Sequence, residues 1–114
     1  MKNSYSNIFS FNKKILKKTI KNLNNGNIVG LPTETVYGLG GNAYSKKSIE
    51  KIYKLKERPK SNPLIVHYLN LKDASKDIVV NERFKKLYAR FCPGPITFVL
   101  KKRYGSKITP LSTA

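Results

Sequence analysis

From Phe11 onward, apolar side chains recur at Phe11, Ile15, Leu16, Thr19, Ile20 and Leu23, the spacing of one face of an α-helix. Ser10 stands where a cap would start it and Gly26 where a glycine would stop it. Lys13, Lys14, Lys17, Lys18 and Lys21 fall on the opposite face. The pattern predicts a helix that covers a sheet and turns a basic side to water. Ile28-Val29-Gly30-Leu31, ended by Pro32, is too short for a helix and predicts a buried strand. Thr33 to Gly41 has the composition of a glycine-rich loop. Ser45 can cap a second helix, with Ile49, Ile52, Tyr53 and Leu55 inward and Lys46, Lys47, Glu50, Lys51 and Lys54 outward; Arg58-Pro59 ends it.

The second half of the chain repeats the alternation. Pro63 to Tyr68 is an apolar run of strand length. Phe84, Leu87, Tyr88 and Phe91 follow i, i+3, i+4, i+7 in a third helix that Pro93-Gly94-Pro95 stops, and Ile96 to Leu100 predicts another strand. Helix, strand, loop, helix, strand, helix, strand is the order of an α/β or α+β layer fold with helices packed on a sheet. The expected organisation is one domain over residues 1–114, which ends at Leu111-Ser112-Thr113-Ala114 with nothing to finish an edge strand.

Composition narrows the function classes. Twenty-three Lys+Arg against six Asp+Glu give a formal charge of +17, a field that attracts nucleotides and RNA, although lysine spread over solvated faces without a partner is the competing explanation. Cys92 is the lone cysteine, so neither an internal disulfide nor a thiolate metal cluster can form, which fits a reducing cytoplasm. Met1 to Phe11 contains no leader-like apolar run, and nowhere do about 18 apolar residues stand together, so a soluble, membrane-free, cytoplasmic protein is expected.

Three segments could carry chemistry. Thr33-Glu34-Thr35 offers two hydroxyls and a carboxylate after a strand, where α/β folds meet ligands; taken alone, threonines that merely satisfy turn backbone are the commoner explanation. The glycines at 38, 40 and 41 match neither common phosphate-loop spacing. Lys56-Glu57-Arg58-Pro59-Lys60-Ser61-Asn62-Pro63 sets three cations, a hydroxyl and an amide between a helix end and a strand. Arg can grip phosphate bidentately and Lys can supply a point charge, unless these cations only complement the helix dipole. His67, the single histidine, lies in an apolar run and is either a ligand group or a satisfied structural imidazole.

Taken as a set, Gly30-Leu31-Pro32-Thr33-Glu34-Thr35-Val36-Tyr37-Gly38-Leu39-Gly40, Lys56-x-Arg58-Pro59 with Asn62-Pro63-Leu64-Ile65-Val66-His67, and Pro93-Gly94-Pro95-Ile96-Thr97 closely resemble the YrdC family of threonylcarbamoyl-AMP synthases. The resemblance runs from about Asn27 onward. It implies a twisted mixed sheet with helices around it and a positively charged concave face. It also implies a nucleotidyltransferase that joins L-threonine, bicarbonate and ATP, with Mg2+ on the phosphates, into threonylcarbamoyl-AMP and pyrophosphate. The product passes to threonylcarbamoyl-transfer proteins for tRNA modification. By the same resemblance Thr33, Thr35 and His67 meet threonine, while Lys56, Arg58, Asn62 and Thr113 meet ATP, with Lys56 and Arg58 as the catalytic pair.

Two departures accompany the likeness. Cys92 replaces a tryptophan common before the Pro-Gly-Pro turn, and no Ser-x-Asn segment follows Pro93, so the family domain is expected to be C-terminally incomplete here. The alternatives are a non-enzymatic tRNA- or double-stranded-RNA-binding module, an inactive fragment, and the related domain of a hydrogenase-maturation carbamoyltransferase. The lack of upstream acylphosphatase-like and zinc-finger segments counts against the last.

Overall fold

The computed structural model describes residues 7–113, which divide into two compact units with the boundary between Lys60 and Ser61. In the first unit α1 spans Lys13–Asn24, and Asn12 rather than Ser10 caps it: the Asn12 carboxamide oxygen accepts from the Ile15 N–H at 2.9 Å. The sequence pointed to Ser10, but only a side chain directly before the first helical residue can reach that N–H, which moves the cap to Asn12. Gly26, at φ 75°, takes the left-handed conformation that turns the chain away after the helix. No α1 residue is fully buried; Ile15, Thr19 and Leu23 are half-covered, and Leu16 and Ile20 stay exposed.

β1 (Val29–Leu31) and β2 (Gly38–Gly40) pair antiparallel, with Gly30 opposite Leu39. The segment read as a loop is therefore a hairpin whose return strand is mostly glycine, a composition that hides strand propensity. β1 is also less buried than expected, since Leu31 lies on an exposed flank.

α2 (Lys46–Lys56) is capped by Ser45 as predicted and supplies the unit's core through Ile49, Ile52 and Tyr53. Leu55, expected inward, is 65% exposed. Fully buried Ser48 knits the helix to the hairpin, because its hydroxyl accepts from the Asn42 N–H at 3.2 Å and donates to the Asn27 carbonyl at 3.4 Å. Lys51 adds a tie to the Gly26 carbonyl at 2.9 Å. Gly41 leaves room for this packing: a Cβ there would sit 2.5 Å from the Ser48 hydroxyl.

The second unit holds α3 (Leu71–Ala74), for which no element was expected, and α4 (Glu82–Phe91), capped by Asn81. Phe84 of α4 is buried edge-on against Phe98, with ring centroids 4.9 Å apart. The Pro63–Tyr68 and Ile96–Leu100 segments form no strand among the described residues. Both nonetheless alternate half-buried and exposed positions with period two, Leu64, Val66 and Tyr68 inward in one and Phe98 and Leu100 in the other. An alternating pattern specifies a face; it does not specify a partner strand. The pairing present is a single antiparallel bridge, Ile78 with Lys102, flanked by Val79 N–H to Lys101 O at 2.8 Å and Arg103 N–H to Asp77 O at 2.7 Å. A short 3-10 turn, Pro110–Ser112, follows.

Candidate functional site

In the first unit the hairpin turn is organised by Thr33. Its hydroxyl accepts from the Thr35 N–H at 3.3 Å and the Val36 N–H at 3.2 Å, and donates to the Val36 carbonyl. A hydroxyl used three ways holds backbone in shape and has little capacity left for a ligand. Thr35 is exposed, and its hydroxyl lies 3.5 Å from the Thr33 oxygen. The turn thus presents Thr35 outward on a frame that Thr33 builds, and both predicted residues stand together at one loop.

Lys56 and Arg58 lie where α2 ends. Glu57, at φ 50° and ψ 32°, occupies the left-handed conformation; its N–H reaches the Lys54 carbonyl at 3.3 Å, and the Arg58 N–H reaches the Tyr53 carbonyl at 3.1 Å. This pair of bonds closes the helix as a Schellman motif with Arg58 as its second residue beyond the end. Pro59 forbids helical geometry at Arg58 in any case. The elbow separates the two cations: Lys56 is exposed, whereas half-buried Arg58 lines a shallow groove of about 330 Å³ with Glu50, Tyr53, Lys54, Glu57 and Lys60. Glu57 and Lys60 were not assigned roles from the sequence. A helix-ending left-handed residue is normally announced by glycine, and glutamate conceals it.

The second unit carries Asn62, His67 and Thr113. His67 is exposed, on the outward side of the period-two alternation with Ile65, so it is not a buried structural imidazole. Asn62 is exposed as well. Thr113 follows the 3-10 turn and spends its hydroxyl on the Pro110 carbonyl at 3.2 Å. Among the described residues no group of three or more His, Cys, Asp or Glu side chains could hold a metal ion, and no helix is long and apolar enough to cross a membrane.

The Sua5/YciO/YrdC family model, described as telomere recombination, matches residues 21–114. The chain belongs to this family. A threonylcarbamoyl-AMP synthase of Pyrococcus abyssi is 43% identical over 88 residues, covering 75% of this chain and 24% of that protein. One of Bacillus subtilis is 44% identical over 80 residues, covering 68% and 23%. A Methanocaldococcus jannaschii protein, given the same name provisionally, is 36% identical over 109 residues, covering 92% and 53%. The chain thus spans about half the length of the last relative and about a quarter of the other two. The crystal structure of P. abyssi Sua5 complexed with L-threonine superposes with a TM-score of 0.83 at 32% identity, over 92% of this chain and 31% of that one. That match establishes the α/β fold expected of a Sua5/YciO/YrdC protein.

Proposed function

We propose that this chain carries the threonine- and ATP-handling residues of a threonylcarbamoyl-AMP synthase. The observation that carries the reading is the superposition on a Sua5 crystallised with L-threonine, over nine-tenths of the chain. Thr35, on the frame set by Thr33, and exposed His67 are assigned to threonine. Lys56, Arg58, Asn62 and Thr113 are assigned to ATP.

The reaction asks little of side chains beyond placement. The threonine amine takes up bicarbonate as a carbamate with loss of water, a carbamate oxygen attacks the α-phosphorus of ATP, and the bond to pyrophosphate breaks. Lys56 and Arg58 serve by aligning the phosphates and offsetting the negative charge that moves onto pyrophosphate. Magnesium, arriving with ATP, would supply positive charge that offsets part of the same phosphate charge. The product suits transfer to a tRNA adenosine by downstream proteins, and the lone Cys92 accords with a cytoplasmic setting.

Incubation of the chain with L-threonine, bicarbonate, ATP and Mg2+ is expected to release pyrophosphate only when threonine and bicarbonate are both present. Failure to release pyrophosphate, together with failure to bind either threonine or ATP by calorimetry, overturns the assignment. A second reading, RNA binding without chemistry, is favoured by one observation: α1 presents five lysines and contains no acidic residue. Binding of duplex RNA or tRNA that falls steeply with salt, in a chain that binds neither substrate, selects it.

A further inference from the structure

We propose that Glu57 is a positioning residue for Arg58, acting through its left-handed backbone rather than its carboxylate. The inference rests on the assignment of Arg58 to ATP and adds the device that aims it. At φ 50° Glu57 stands where side chains other than glycine and asparagine are disfavoured, yet two main-chain hydrogen bonds, at 3.3 and 3.1 Å, hold it and its successor in place. Their effect is directional. The N–H of Arg58 is tied back to Tyr53, and Arg58 lines the groove with Tyr53 and Lys60, while Lys56 stands exposed on the last turn of α2. An arginine whose backbone is fixed in this way loses less freedom when it grips a phosphate than one on a mobile loop. Lys54 and Lys60 line the same groove, which places two further cations near a phosphate held by Arg58, against the carboxylates of Glu50 and Glu57.

The experiment compares ATP affinity of the chain by calorimetry across Glu57→Gly, Glu57→Asn and Glu57→Val, each alone and combined with Arg58→Ala. Glycine and asparagine accept the left-handed conformation and remove the carboxylate, so both variants should bind ATP within about twofold of the parent chain. Valine resists the conformation, so Glu57→Val should weaken ATP roughly tenfold while leaving threonine affinity unchanged. In the Arg58→Ala background the valine change should cost nothing further, because the groups act as one unit.

Loss of ATP affinity in Glu57→Gly or Glu57→Asn would show that the carboxylate matters and overturn the proposal; should Glu57→Val fail to fold, Glu57→Thr, also β-branched, takes its place with the same expected and overturning results. An equal loss from valine with and without Arg58 also overturns it. A parent chain that binds no ATP removes the reading of Arg58 on which the proposal stands; binding by the parent with no effect of valine rejects the positioning role alone.

Discussion

Asp77 shows how much a single side chain can organise in a unit with so small a core. It is 2% exposed, and its carboxylate accepts from the Ser106 hydroxyl at 2.6 Å and the Tyr68 hydroxyl at 3.0 Å, while its backbone carbonyl takes the Arg103 N–H. One residue therefore gathers three segments of the second unit. Asp77→Ala should lower the stability of that unit by about 1–3 kcal/mol, read as a shift in the urea midpoint, because two hydroxyls lose a charged acceptor inside the fold. An unchanged midpoint would mean water replaces the carboxylate at no cost. Nothing in the sequence marks Asp77, since the hydroxyls of Tyr68 and Ser106 that meet it lie 9 and 29 residues away along the chain. The same limit applied to Thr33 and Thr35. The turn composition and both hydroxyls were readable, but which threonine builds the turn and which faces outward depends on hydrogen bonds that only coordinates supply. His67 was also open between ligand and core, and alternating burial along 64–68 decided its exposure.

At the scale of elements, periodicity performed well for helices and poorly for strands, for a physical reason. A helix satisfies its backbone internally, so an apolar stripe with a cap nearly suffices to define one. A strand needs a neighbour, and the runs at 63–68 and 96–100 have the right alternation without a ladder among the described residues. The cap of α1 is the correctable detail. Asn12→Ala should cost about 1 kcal/mol and reduce far-ultraviolet helicity, whereas Ser10→Ala should change neither. Equal effects of the two would show that the capping bond at Asn12 does not form in solution. The join between hairpin and α2 offers an independent check. Gly41→Ala sets a methyl 2.5 Å from the Ser48 hydroxyl and 3.1 Å from the Ile52 side chain, so overpacking should destabilise the first unit by about 1–3 kcal/mol in thermal unfolding. Gly30→Ala is the control, because a Cβ there meets nothing within 4 Å.

For the molecule as a whole the dominant fact is charge, and motif order supplied what charge could not. Three motifs in sequence were enough to indicate the family; a formal +17 by itself fits an anionic partner or solvated lysine faces without one. The two can be separated by experiment. Lys13, Lys17 and Lys21 follow one another along α1 at four-residue steps, a row next to exposed Leu16 and Ile20, and the first acidic residue in the chain is Glu34. If this row contacts RNA phosphates, replacing all three lysines by glutamine should lower RNA affinity and reduce the slope of log affinity against log salt by about 2 to 3, since each contacted phosphate contributes roughly 0.7 to 0.9. ATP affinity should be untouched, because its assigned groups lie on Lys56, Arg58, Asn62 and Thr113. A triple variant with parental salt slope and intact helicity would remove α1 from RNA binding and leave its lysines as solvated charge. Parallel loss of RNA and ATP binding would instead show that the lysine row acts through the general field of the protein, which no single surface owns.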